Sequence, residues 1–124
     1  MAARPQRILV GFDGSDAAWR ALDTAVHFTG YGSTLTVVHV VSNGAEPSSV
    51  LAGARERVRR QQLTATYVQR MGEPADQLLE AARELDAELV VVGRRAESTD
   101  GLPTPGSVSA TVVRRAPCDV LVVT

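Results

Sequence analysis

Short apolar runs alternate with longer segments of mixed polarity along this chain. Residues 8–12, Ile-Leu-Val-Gly-Phe, are too few for a helix, and a continuous apolar run of this length is typical of a strand buried on both faces. Asp13-Gly14-Ser15 interrupts the run, and Ser15 is a favourable N-cap for a helix over residues 16–29. The buried stripe of that helix is predicted from helical spacing and comprises Ala18, Leu22, Ala25 and Val26.

The same alternation continues to the end of the sequence. We predict further strands over residues 35–41, 64–69, 89–92 and 119–124, and further helices over residues 48–63, 75–85 and 108–115. Pro74 suits the first turn of a helix, and Pro117 ends the last one. The order βαβαβαβαβ predicts an α/β fold, a doubly wound parallel sheet with helices on both faces and right-handed crossovers.

The length of the chain sets the scale of the fold. Its 124 residues are enough for one domain, residues 1–124, and not for two. The single cysteine, Cys118, fits a reducing compartment, and we interpret it as a small buried residue beside a strand. The N-terminal residues are polar, and no run approaches the ~18 apolar residues of a membrane span. We therefore expect a soluble cytoplasmic protein that does not interact with membranes.

The charged residues exclude several kinds of site. The net charge of −1 gives no general attraction to nucleic acid, so no nucleic-acid partner is expected. All 13 basic residues are arginine. The absence of lysine excludes a phosphate-binding loop of the G-x-x-x-x-G-K-[ST] type and a lysine Schiff base. No set of cysteines and histidines indicates a zinc site.

One segment has the layout of a phosphate site. Gly93-Arg94-Arg95-Ala96 follows the strand predicted over residues 89–92, and nine residues later Gly106-Ser107 precedes the last helix. Glycine allows the backbone to approach an anion closely, and the first turn of a helix offers unpaired N–H groups. Gly106-Ser107 can equally be a simple helix start, because serine is a preferred N-cap.

Other residues of this loop also have two interpretations. Arg94 and Arg95 could hold phosphates with forked hydrogen bonds, or they could be solvated. Glu97 and Asp100 lower the attraction of the loop for anions, or they help to hold a divalent ion against the phosphates.

Three single residues and the arginines of the second helix lie outside this loop and also need an interpretation. Asp13 could bind a ligand or a metal, or could shape the turn with Gly14. We interpret His39, in an apolar strand, as a structural histidine, because no acid and nucleophile partners can be named for it. We assign Trp19 to packing and the arginines of the second helix to a solvated face.

Taken in order, these segments resemble the universal stress protein family. The resemblance rests on the opening segment 8–15, Val38-His39-Val40, Gly72-Glu73-Pro74, the 93–107 loop and the ending 116–123. It covers essentially the whole chain and implies a five-stranded sheet in the order 3-2-1-4-5. Strands 1 and 4 would then flank the topological switch point, where ligands of open α/β sheets bind.

The resemblance also implies a ligand. Nucleotide-binding members carry G-x-x-G, nine residues and G-[S/T], and here Gly93, Gly106 and Ser107 fit that spacing, whereas Ala96 stands where a glycine is expected. Asp13 matches the position near the adenosine and Val40 the position near the base. The implied nucleotide-binding set is Asp13, Val40, Gly93, Arg95, Ala96, Gly106, Ser107 and Val108.

These observations lead to a stress-response domain that binds ATP, with or without Mg²⁺, or a related adenine nucleotide. Hydrolysis would be slow at most, since no catalytic base or transition-state arginine arrangement can be named, and whether the protein is an enzyme stays open. The alternative is a nucleotide-free dimeric interaction protein of the same fold. The resemblance implies a homodimer formed through the C-terminal strand.

Overall fold

The computed structural model describes residues 5–30, 32–41, 49–94 and 107–124. Its elements alternate as the sequence predicts. The strands are β1 (Arg7–Gly11), β2 (Thr34–Val41), β3 (Thr66–Met71), β4 (Leu89–Gly93) and β5 (Asp119–Val123). The helices of the described ranges are α1 (Asp16–Phe28), α2 (Val50–Arg60), α3 (Pro74–Glu84) and α4 (Ser107–Arg115).

The strands form one five-stranded sheet in the order β3-β2-β1-β4-β5, and all its pairs are parallel. The predicted doubly wound α/β fold is therefore confirmed. β1 lies in the centre, where Val10 pairs with Val37 of β2 and with Val91 of β4. Its residues Leu9 and Val10 are fully buried, which explains why this strand is apolar on both faces.

Each face of the sheet is covered by a pair of helices. Ile8 and Val10 of β1 pack in one core cluster with apolar residues of α1 and α2, and Leu9 packs in a second cluster with residues of α3 and α4. Successive residues of β1 thus enter opposite clusters, as strand geometry requires. The helices change face where the chain crosses from β3 to β4, because right-handed crossovers in opposite directions place their helices on opposite faces.

Local signals explain the best predicted helix boundaries. The Oγ of Ser15 accepts a hydrogen bond from the N–H of Ala18 at 3.2 Å, which caps α1, and Asp16 lies favourably in its first turn. Pro74 begins α3, where a missing N–H costs nothing. These interactions are local, so the sequence predicts them correctly.

Two predicted elements differ from the structure by two residues or more at each end. The second helix is shorter than the predicted 48–63, because it ends at Arg60 and the chain turns through Gln62, whose φ is 60°. The third strand is β3, residues 66–71 rather than 64–69, because pairing with β2 starts at Thr36↔Thr66 and ends at Val41↔Met71. Pairing to a neighbour, which is tertiary, sets these bounds.

No helix within the described ranges is long and apolar enough to cross a lipid bilayer.

Candidate functional site

The strand order places a topological switch point at the carboxyl ends of β1 and β4, where sheets of this kind form a crevice. These strands are neighbours in the sheet, but α1 leads from β1 to β2 on one side, whereas α4 leads from β4 to β5 on the other. The connections therefore diverge, and such a switch point is where open α/β sheets hold ligands. Asp13 follows β1 by two residues, and Gly93 ends β4. The structure thus brings these two predicted residues to the same end of adjacent strands.

A compact turn presents Asp13 at this edge. Its carboxylate Oδ1 accepts a hydrogen bond from the N–H of Ser15 at 3.0 Å, and Gly14 adopts a φ of 81°, which favours glycine. The side chain of Asp13 is nevertheless exposed. The turn-shaping interpretation of Asp13 is confirmed, and the same hydrogen bond fixes the carboxylate in the turn that follows the carboxyl end of β1.

The glycine at the end of β4 has a packing role that the sequence does not reveal. A Cβ at Gly93 would lie 2.6 Å from both the carbonyl carbon and the carbonyl oxygen of Ala17, and 2.9 Å from its Cβ. The two carbonyl atoms belong to the main chain in the first turn of α1, so they cannot move away as the end of a flexible side chain could. Gly93 is therefore needed for the close approach of α1 to β4, whatever it contributes to a ligand.

Two predicted site residues, Val40 and Val108, lie partly in the core. Val40 is half-buried near the end of β2 and packs against the second core cluster without being fully enclosed by it. Val108 is also half-buried and packs against that cluster. The side chain of Val108 therefore serves the core, and any contact with a ligand would come from its main chain.

Part of the predicted site lies outside the described residues. This concerns Arg95, Ala96 and Gly106, together with the loop acids Glu97 and Asp100. Of Ser107, only its place as the first residue of α4 is described. The main-chain N–H of the neighbouring Arg94 donates to the carbonyl of Val123 at 2.8 Å, which continues the pairing of β4 with β5 beyond Gly93.

Two residues to which the sequence gave a structural role have one. His39 is buried, and its Nδ1 lies 2.8 Å from the carbonyl oxygen of Phe12. Trp19 packs edge-to-face against the ring of Phe12, with the ring centroids 4.8 Å apart. Both interpretations, a satisfied core histidine and a packing tryptophan, are confirmed.

The arginines of α2 are less simple than the predicted solvated face. Arg57 forms a two-fold hydrogen bond to the carboxylate of Asp23 and lies over the ring of Trp19. Arg55 lies 4.6 Å from the ring centroid of Tyr67. Sequence reasoning missed these contacts because they join α2 to α1 and β3, which only the fold brings together.

A cleft between α1 and α2 does not coincide with the predicted site. Its volume is about 450 Å³. Because α1 runs back toward the amino ends of the strands, its later residues lie away from Asp13. The cleft is lined by Asp23, Val26, His27, Arg57, Gln61 and Leu63. The ion pair between Asp23 and Arg57 already engages the charged groups of this cleft.

Two further features bear on chemistry. Within the described ranges, no group of three or more His, Cys, Asp or Glu side chains could hold a metal ion. Cys118 is partly buried beside β5, which agrees with the predicted small residue next to a strand, although its burial is incomplete. Burial and the neighbouring charge of Asp119 raise the pKa of its thiol, which disfavours the reactive thiolate.

Comparison with known proteins decides the family. Residues 5–124 match the family model described as the Universal stress protein family. The chain belongs to this family. A relative from Thermus aquaticus, also a universal stress protein, is 37% identical over 132 residues, which cover 94% of this chain and 96% of the relative. The resemblance found in the sequence is thereby confirmed over nearly the full length.

Solved structures of other universal stress proteins share the fold. One, in complex with cAMP, is 29% identical and superposes with a TM-score of 0.81, covering 98% of this chain and 99% of the other. The universal stress protein UspA from Lactobacillus plantarum is 26% identical, with a TM-score of 0.78 and coverage of 99% and 100%. The described residues of this universal stress protein thus have the architecture of its family.

Proposed function

We propose that this universal stress protein binds ATP or a related adenine nucleotide at the carboxyl ends of β1 and β4. The observation that carries the proposal is the exposed, hydrogen-bonded Asp13 carboxylate at the switch point of the sheet. A carboxylate held in this way can accept hydrogen bonds from ribose hydroxyls. Support also comes from a universal stress protein of the same fold that is in complex with cAMP.

The described residues fit the adenosine half of such a ligand. Val40 offers a half-buried apolar surface suited to a base, and Asp13 offers oxygens suited to the ribose. The phosphates would lie against the start of α4, where the unpaired N–H groups of a first turn favour anions. The rest of the proposed phosphate loop is assigned from the sequence alone and comprises Arg95, Ala96, Gly106 and Ser107.

Magnesium, if it accompanies the nucleotide, would depend on the phosphates. The described residues provide no cluster that could hold a metal by themselves. A Mg²⁺ ion commonly keeps several waters and takes its other ligands from substrate phosphates and one or two carboxylates. Asp13, at the rim of the crevice, could supply one such carboxylate.

We also propose that the protein is a homodimer in the cytoplasm, joined through β5. The strand is at the edge of the sheet, and its residues 120–123 are apolar and only half-buried. An apolar edge strand exposes unpaired main-chain groups that a second copy can satisfy. The opposite edge, β3, is more polar, and its Arg70 forms ion pairs with Glu80 and Glu84 of α3.

The experiment is a ligand panel measured by calorimetry on the whole protein and on Ser107→Ala. ATP, cAMP and adenosine are compared, with and without Mg²⁺. Because the hydroxyl is assigned to the phosphates, Ser107→Ala should weaken ATP binding more than adenosine binding. Asp13→Ala is the matched variant for the other half of the ligand and should weaken all three.

The outcomes separate the hypotheses. Equal losses of ATP and adenosine binding in Ser107→Ala would show that the phosphate contact is misassigned. Tighter binding of cAMP than of ATP would move the proposal to a cyclic nucleotide. No binding of any member at millimolar concentration would reject the nucleotide site and favour the nucleotide-free dimer.

A further inference from the structure

The imidazole of His39 is a buried titratable group that makes none of the ligand contacts of the proposed nucleotide site. It lies on β2, and only 7% of the residue is exposed. Its Nδ1 lies 2.8 Å from the carbonyl oxygen of Phe12, the residue immediately before Asp13. The ring thus touches the chain at the point where β1 ends and the turn of the proposed site begins.

The chemistry of this contact fixes the proton on the ring. A carbonyl oxygen can only accept a hydrogen bond, so Nδ1 must carry a hydrogen in order to donate. The neutral ring is therefore the Nδ1–H tautomer, with its lone pair on Nε2. This assignment follows from the partner alone and can be measured directly.

The main chain of Phe12 is held on β2 by two hydrogen bonds, one through its N–H and one through its carbonyl. Regular pairing of β1 with β2 ends at Gly11↔Val38, and the N–H of Phe12 still donates to the carbonyl of Val38 at 2.8 Å. The carbonyl of Phe12 accepts a hydrogen bond from the ring of His39, where regular strand pairing would supply a main-chain N–H of β2. The side chain of Phe12 is buried against Trp19, so the residue is fixed at its ring, its N–H and its carbonyl.

From Phe12 the restraint passes directly into the turn. Asp13 Oδ1 accepts from the N–H of Ser15 at 3.0 Å, and Ser15 Oγ accepts from the N–H of Ala18 at 3.2 Å. The direction of the Phe12 carbonyl sets the plane of the peptide that leads to Asp13, because a peptide is rigid. Loss of the ring donor would leave a buried carbonyl unpaired, and rotation of this peptide toward another donor would carry Asp13 with it.

We propose that His39 is a positioning residue of the nucleotide site, which holds the Phe12 carbonyl through Nδ1–H and thereby aims the Asp13 carboxylate into the crevice. The role of the aimed carboxylate rests on the proposed function. The hydrogen bond itself and its effect on the turn do not.

The test compares His39→Leu, which removes the donor, with His39→Asn, whose side-chain amide can donate from a position close to that of Nδ1. Thr36→Val is the control, because Thr36 is also buried in β2 but pairs with Leu9, away from the turn. The exchange rate of the Ser15 amide hydrogen is measured by NMR without ligand. It should rise about tenfold in His39→Leu, as for the loss of one hydrogen bond, and should change little in the other two variants.

Binding of ATP supplies the second readout. His39→Leu should weaken binding about tenfold and His39→Asn should restore most of it. If His39 acts through Asp13, the double variant His39→Leu/Asp13→Ala should bind as Asp13→Ala alone, because coupled effects do not add. A purely structural role predicts additive losses, which would overturn the proposal.

Failure of the proposed function is distinguishable from failure of this inference. If the wild-type protein binds no nucleotide, the nucleotide site is rejected, and the Ser15 exchange still decides whether His39 sets the turn. If His39→Leu does not fold, ¹⁵N NMR of the wild-type ring decides, since the protein has two histidines and His27→Gln assigns the signals. The Nε2–H tautomer, or unchanged Ser15 exchange in a folded His39→Leu, would overturn the inference.

Discussion

At the scale of single residues, the functional motif and the packing of the fold overlap at Gly93. The sequence offers a glycine where a nucleotide-binding motif begins. The structure shows a second reason for a glycine at this position, because the main chain of Ala17 occupies the space that a Cβ would need. A glycine at this position therefore does not by itself indicate a ligand, and its substitution reports on stability before it reports on binding.

We predict that Gly93→Ala destabilises the protein by about 1–3 kcal/mol, the usual cost of overpacking, because α1 must move away from β4. Urea unfolding followed by circular dichroism measures the change. Gly53→Ala in the exposed part of α2 is the matched control. There alanine favours the helix by about 1 kcal/mol and meets only the ring edge of Trp19 at 3.3 Å. Equal stability of Gly93→Ala and the wild type would contradict the packing role.

A second prediction for a single residue concerns Ala96 and the affinity for ATP. If its backbone must be left-handed to turn an N–H toward the phosphates, the β-carbon costs about 1–2 kcal/mol, or roughly tenfold in affinity. Ala96→Gly should then tighten ATP binding by about this factor in calorimetry. Identical affinities of the two proteins would mean that the loop tolerates alanine.

At the scale of elements, a carboxylate ties the start of β1 to the start of β4. Glu88 Oε1 accepts hydrogen bonds from the N–H groups of Gln6 at 2.7 Å and Arg7 at 3.1 Å. These bonds, the one from Gln6 first, and the guanidinium of Arg7 lower the pKa of Glu88 below its ordinary value. The neighbouring strands β1 and β4 are thus joined by a charged hydrogen-bond acceptor at their amino ends, opposite the proposed site.

The lowered pKa of Glu88 determines how its contribution to the stability of the fold changes with pH. A carboxyl whose pKa is lower in the folded state stabilises the protein above its unfolded pKa, near 4.3 for glutamate, and this contribution is lost as the pH falls through the folded pKa. We predict that Glu88→Gln is less stable than the wild type in urea at pH 7 and that the difference shrinks toward pH 3. A difference that is the same at both pH values would contradict the charge-based contribution.

At the scale of the whole molecule, the two edges of the sheet differ. β3 is polar at Thr66 and Gln69, and Arg55 covers its Tyr67. β5 is apolar after Asp119 and only half-buried. Because apolar edges invite pairing and charged edges discourage it, β5 is the edge suited to a second copy.

A proline can test the β5 edge selectively. Val123 directs its main-chain groups toward β4, since its carbonyl accepts from Arg94, and the adjacent Val122 therefore directs its N–H outward. Val122→Pro should convert the dimer into a monomer in sedimentation at micromolar concentration with the fold retained. Val122→Ala, which keeps the N–H, should stay dimeric. A wild-type monomer, or a dimer that survives Val122→Pro, would reject pairing through β5.

The sequence alone determined the alternation of elements, the α/β class and the family. These follow from local physics: buried strands are continuous apolar runs, helices show their period, and Ser15 and Pro74 mark helix starts within one turn. The strand order 3-2-1-4-5 came from the family resemblance, and the sheet confirms it. The sequence also predicted Gly93 from its spacing to Gly106-Ser107, and the family resemblance added Asp13.

Only the tertiary structure decided what depends on contacts between distant segments. The ends of β3 are set by pairing with β2, the packing role of Gly93 by the approach of α1, and the partner of His39 by the end of β1. None of these contacts leaves a periodic or local signal in the chain. Residues that are far apart in sequence acquire such roles only when the sheet places them within a few ångströms of one another.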